Sequence, residues 1–227
     1  MGFANNAGPE KAQAVALRVD SDLSVFYNCS IDGYENTLLS VAHRQFYRNC
    51  LISGTVDVIS GDAAALFQNC NIMLKKPLAN QNNTITAHAR VDRHEPTGIV
   101  MQNCTVAPAA DLVPANDGTA SYLGRPTEEF SVVVIMQSMI GDVIRSEGWA
   151  EPPDDGVVSS NAIASAFLAE FENRGPGASL LQRVTWPAHR VLRDAAEAAK
   201  FTVDEFITGA WWLRMTGVPF YSGVASE

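Results

Sequence analysis

The sequence predicts an all-β fold, a solenoid of stacked coils, and three observations carry that prediction. The first is a repeat. Val25-Phe-Tyr-Asn-Cys-Ser-Ile31, Phe46-Tyr-Arg-Asn-Cys-Leu-Ile52, Leu66-Phe-Gln-Asn-Cys-Asn-Ile72 and Val100-Met-Gln-Asn-Cys-Thr-Val106 are four versions of one phrase, each read as a strand centred on an Asn-Cys pair. The cysteines stand at 29, 50, 70 and 104, so the intervals are 21, 20 and 34 residues: two coils and then a coil with an insertion. The second is texture. From Gln13 to about Gln137, apolar or β-branched runs alternate with Gly, Asn, Asp and Pro, and a helical period is almost absent. The third is where that texture stops, after Gly175-Pro-Gly177.

Each element follows in order. Strands are predicted at Ala14 to Val19, Thr55 to Ile59, Thr84 to Thr86, Gly98 to Met101 and Ser131 to Met136, besides the four repeats. Residues 78–83, 108–120 and 151–156 are turn-rich and read as loops that wall a groove. In the tail, Asp194 to Lys200 is strongly helix-forming, and Thr202-Val-Asp-Glu205 has the residues of a capping box. The aromatic residues Trp186, Trp211, Trp212, Phe201, Phe206 and Phe220 concentrate there and are read as packing on a coil face. The chain is thus taken as one domain over 1–227, with coils over 1–175 and an irregular helical tail over 176–227.

Bulk properties exclude several classes. With 227 residues, 47% of them hydrophobic, the chain can build one sizeable core. A net charge of −9 with scattered basic residues argues against nucleic acid. No apolar run approaches the roughly 18 residues of a membrane span, and the first residues have no export-signal pattern. His43, His88, His94 and His189 lie far apart without metal-ligand spacing, so neither a metal nor a cofactor is expected. Stacking makes sequence neighbours spatial neighbours, which favours disulfides Cys29–Cys50 and Cys70–Cys104; four reduced thiols is the alternative for a cytosolic protein. Asn28, Asn82 and Asn103 head glycosylation triplets, and those in the Asn-Cys ladder are expected to be buried.

Several motifs, in order, are specific enough to name a family. Gly8-Pro-Glu-Lys-Ala-Gln-Ala-Val-Ala-Leu17, Asp32-Gly-Tyr-Glu-Asn-Thr-Leu38, Arg44-Gln-Phe-Tyr47, Gly54-Thr-Val-Asp57, Phe67-Gln-Asn-Cys70, Asn83-Thr-Ile-Thr86, Tyr122-Leu-Gly-Arg-Pro126 and Thr216-Gly-Val-Pro-Phe220 resemble the plant pectin methylesterases. The resemblance implies a right-handed parallel β-helix and hydrolysis of galacturonate methyl esters in pectin. It also implies an extracellular monomer acting in the cell wall, with a proteinaceous pectinesterase inhibitor as a partner. It leads to the expectation that the family's first coils, and the export signal of its precursors, would lie before Gly8.

By the same resemblance, Asp57 stands at the nucleophile position, Arg125 at the position that pairs with it, and Gln13 at that of the oxyanion-holding glutamine. Two positions depart from the family. The Tyr-Gln-Asp-Thr-Leu motif appears as Tyr34-Glu-Asn-Thr-Leu38, so Asn36 replaces the acid/base aspartate and Glu35 replaces a second oxyanion glutamine. An amide cannot shuttle protons, and losing a positioned acid/base costs about 10²- to 10⁴-fold in rate. Glu35 is read as a poor substitute, because adjacent strand residues face opposite ways; Asp62 is the other acid weighed. Thr127 replaces a tryptophan that packs on the sugar. The implied function is therefore a pectinesterase with weakened or lost activity. The alternatives are an inactive pectin-binding or interaction relative and a truncated gene product.

Overall fold

The computed structural model describes residues 1–112, 118–152 and 161–225; of the loops expected at 108–120 and 151–156, residues 113–117 and 153–156 lie outside them. Three parallel sheets of six, five and seven strands form the walls of a β-helix, and up to Ile140 each coil gives one strand to each wall in turn. The first wall runs Gly2–Ala4, Ser30–Asp32, Leu51–Gly54, Asn71–Leu74, Thr105–Pro108, Met139–Ile140. The second runs Leu17–Val19, Leu38–Ser40, Ile59–Gly61, Asn83–His88, Ser121–Gly124. The third runs from Ser24–Tyr27 through Arg44–Arg48, Ala64–Gln68, Gly98–Gln102, Val132–Met136 and Phe167–Phe171 to His189–Val191. That last strand falls in the segment the sequence assigned to the tail.

In-register stacking explains why the repeat was visible. Leu51 pairs with Asn71 and Asn71 with Thr105, so like residues sit one rung apart. Inside, Ile31, Ile52, Ile72, Val106 and Ile140 form one fully buried column. Beside it Phe26, Tyr47 and Phe67 stack face to face, with centroids 5.0 and 4.4 Å apart. Such pairs contribute about 0.5–1.5 kcal/mol each beyond their burial. The tail covers the outer side of the third wall, where Phe46, Leu66, Val100 and Val134 meet Val203, Ile207, Trp212 and Leu213. Its last stretch is held by a ladder of amides: Gln68 exchanges hydrogen bonds with the Tyr221 backbone (3.0 and 2.9 Å) and Gln137 with that of Ala225 (2.8 and 3.0 Å). Asp194 caps its helix by accepting from the Glu197 N–H (2.9 Å), whereas Thr202 makes no capping bond to the helix it precedes.

Three sequence expectations need correction. The Asn-Cys pairs do not sit at strand centres. Each Asn is the corner between two walls, in left-handed backbone with φ of 52° at Asn28, 52° at Asn49, 55° at Asn69 and 53° at Asn103. Asn tolerates that region better than other L-residues, which is why it recurs there. The corners are consequently not buried, and Asn28 is exposed. The disulfides Cys29–Cys50 and Cys70–Cys104 are also absent, since all four cysteines are free. Parallel strands in register hold their Cβ atoms near the strand spacing of about 4.8 Å, beyond the roughly 3.5–4.5 Å a disulfide needs. The thiols instead donate to carbonyls, Cys50 to Phe26 (3.4 Å) and Cys104 to Phe67 (3.4 Å). Burial first, and Cys104 second, hold the Cys70 thiol well above its ordinary range, so it stays protonated and unreactive.

One histidine has consequences for stability. His88 is fully buried, its Nδ1 accepts the Val132 N–H (2.9 Å), and its Nε2 lies 3.4 Å from Asp62. Burial pushes its pKa below the usual 6.5, with Asp62 opposing only in part. Below about pH 6.5 the unfolded chain therefore takes up a proton that the folded one refuses, and stability falls as pH drops. His88→Gln keeps an acceptor for Val132 and should flatten the stability profile below about pH 6.5 by up to about 1.4 kcal/mol per pH unit. Parallel urea titrations of the two proteins measure the difference, and identical slopes would contradict it.

Candidate active site

Asp57 is not in a strand, as the sequence suggested, but in the turn between Leu51–Gly54 and Ile59–Gly61, with φ of 51°. A left-handed aspartate is uncommon and needs support. Its own N–H donates to Thr84 Oγ1 (2.8 Å), and the same hydroxyl donates back to Asp57 Oδ1 (2.6 Å). Arg125 completes the arrangement through Nε to Oδ1 (2.9 Å) and Nη2 to Oδ2 (2.6 Å), a two-pronged clasp that fixes the plane of the carboxylate. Arg125 is delivered by the strand Ser121–Gly124, one coil beyond Thr84. Gly124 is required there, because a Cβ would stand 2.0 Å from Thr86 Oγ1. Residue 57 is 7% exposed, so the carboxylate is nearly desolvated yet fully partnered.

Arg125 opens onto a groove of about 720 Å³ along the second wall. Glu35, Thr84, Tyr122, Trp149 and Trp186 share its lining with Arg125, and the loop Asn80 to Asn82 forms one side. Trp149 is held from behind, where its indole N–H donates to the buried Glu170 (3.2 Å). Glu170 also receives Arg183 through Nε (2.8 Å) and Nη2 (3.0 Å). Burial pushes the Glu170 carboxyl up, and His189, Arg183 and Trp149 more than reverse this, leaving it below the ordinary range. These aromatic residues were not picked out as site residues, and Trp186 was read as packing only.

The expected residues divide into those brought together and those kept apart. Gln13 and Glu35 form a parallel bridge on successive coils, and the Asn36 N–H donates to the Val56 carbonyl (2.9 Å), so this rung lies directly beneath that of Asp57. Asn36 has φ of 55° and makes the same kind of left-handed corner as Asp57. Strand alternation therefore does not apply to Glu35, which lines the groove after all. Burial first and the Asp57 charge second raise its pKa above the usual carboxylate value, while Arg125 and a hydrogen bond from Gln81 oppose in part. Asp62 belongs elsewhere. It lies at the far end of the strand Ile59–Gly61, about 16 Å of extended chain from Asp57, where it accepts from Thr97 (2.5 Å). Thr127 donates to the His88 carbonyl (2.6 Å) and is not among the groove-lining residues. Among the described residues no group of three or more His, Cys, Asp or Glu is placed to hold a metal.

The sequence matches the pectinesterase family over residues 1–210. The chain belongs to the pectinesterase family. A pectinesterase/pectinesterase inhibitor of Prunus persica is 52% identical over 96% of the chain, and one of Arabidopsis thaliana 46% identical over all of it. The chain spans 41% and 38% of those relatives' lengths. Among solved structures, the pectin methylesterase from carrot superposes with a TM-score of 0.94 at 42% identity, over 99% of this chain and 69% of that one. The pectin methylesterase from Aspergillus niger gives 0.74 at 29% identity, over 94% and 62%. This chain therefore has the family's right-handed parallel β-helix. No helix among its described residues is long and apolar enough to cross a membrane.

Proposed function

We propose that this chain is the ester-cleaving part of a pectin methylesterase, acting on methyl-esterified galacturonate. One observation carries the reading: Asp57 is clasped by Arg125, which lines an open groove of about 720 Å³ together with aromatic and amide side chains. The Asp57 carboxylate adds to the ester carbonyl carbon, and the tetrahedral oxyanion collapses with loss of methanol to an acyl-enzyme. Water then cleaves that intermediate, leaving free galacturonate and Asp57. The clasp keeps the reacting oxygen aimed, and Gln13 is the amide assigned to the oxyanion. Arg125 also attracts the acidic chain that already demethylated units create. The protein is assigned to the extracellular cell wall as a monomer, with pectin as substrate and a pectinesterase inhibitor as a regulatory partner.

Asn36 favours a second reading, a relative that binds pectin without turning it over. The two part on one assay. Incubating the purified chain with methyl-esterified pectin should release methanol and acidify an unbuffered solution. Saturable binding of pectin with no methanol release from wild type or from Asn36→Asp would favour the second.

A further inference from the structure

We propose that Glu35 carries the proton in this active site, taking over the task that the amide of Asn36 cannot perform. The proposal rests on the esterase reading above. Three features point to it. Glu35 lines the groove beside Arg125 and Thr84. The bridge to Gln13 and the Asn36 to Val56 hydrogen bond fix residue 35 one coil below the rung of Asp57. Gln81, from the loop on the groove's flank, lines the same groove as Glu35 and is one of the groups that act on its carboxyl.

The charges around Glu35 suit a proton donor. Asp57 and Arg125 face it directly, and Glu147 and Glu151 line the same groove from the opposite loop. Burial and the Asp57 charge favour its protonated form, with Arg125 limiting the effect. In the first half-reaction the bond from the ester carbon to the methoxy oxygen breaks while the Glu35 carboxyl gives that oxygen its proton, releasing methanol. In the second, Glu35 as carboxylate takes a proton from water as the water oxygen bonds the acyl carbon. The acyl bond to Asp57 then breaks, and both side chains return to their starting states.

The test is methanol release from methyl-esterified pectin by wild type, Glu35→Gln, Asp57→Asn and the double variant Glu35→Gln/Asn36→Asp, with thermal unfolding of each. Glu35→Gln is nearly isosteric and should fold as wild type, yet lose about 10²- to 10⁴-fold in kcat. The acidic-form limb of its pH–rate profile should vanish as well, which a merely structural role would not cause. The double variant should regain turnover with a changed pH profile. Wild-type activity that Glu35→Gln retains while Asp57→Asn abolishes it would overturn the proposal and leave the esterase reading standing. So would a silent wild type alongside an active double variant. Silence from the wild type and the double variant alike would overturn the esterase reading, and this proposal with it.

Discussion

Asp57→Asn is expected to lower methanol release by on the order of 10⁴- to 10⁶-fold, the loss typical when a nucleophile is removed. The amide keeps the size of the side chain and an acceptor for Thr84 and one prong of Arg125, so the groove should keep its shape. What disappears is an oxygen able to form the acyl-enzyme. Stability should change little, because the Arg125 side chain is 22% exposed at the groove wall and can be solvated there. Methanol assays and thermal unfolding on the same preparation separate the two effects. Activity within tenfold of wild type would exclude Asp57 as the attacking group.

Arg183→Ala is expected to destabilise the protein by about 3–5 kcal/mol, measured by chemical denaturation. Glu170 sits on the third wall in register with Ile135, Met101, Phe67 and Tyr47, and so puts a charge into a buried column one rung before the exposed Val191. Its side chain and that of Arg183 are each 2% exposed. Arg183 also donates to the carbonyls of Ser146 (3.0 Å) and Gly177 (2.8 Å), tying the loop that carries Trp149 to the solenoid. Removing the guanidinium strands a buried carboxylate and frees that loop, so affinity for pectin should fall as well. Arg183→Met combined with Glu170→Leu removes both charges and should recover most of the stability. A loss below about 1 kcal/mol for Arg183→Ala would contradict this account of the cap.

The fold was legible because a parallel solenoid stacks equal positions in register, so one physical requirement is written several times. The corner Asn at 28, 49, 69 and 103 states the same backbone need four times over. Reading those pairs as strand centres missed that Asn, in a recurring position, signals left-handed backbone rather than a strand. The Asp57 and Arg125 partnership was visible only through family motifs, since 68 residues separate them. The orientation of Glu35 was hidden for the reason that misplaced Asp57: alternation holds within strands and fails at corners. The Glu170 cluster joins residues from 149 to 189 across coils, and its one local trace was a lone acid inside Phe167-Leu-Ala-Glu-Phe171.

The central claim is that an ester carbonyl is presented to Asp57 in the groove beside Arg125. Its most direct test is a crystal structure of the Asp57→Asn variant with a methyl-esterified oligogalacturonate. The account predicts an ester carbon about 3–3.5 Å from the side chain of residue 57, with the Glu35 carboxyl on the methoxy side. A sugar chain bound across another face, or in this groove with every ester turned away from residue 57, would contradict it.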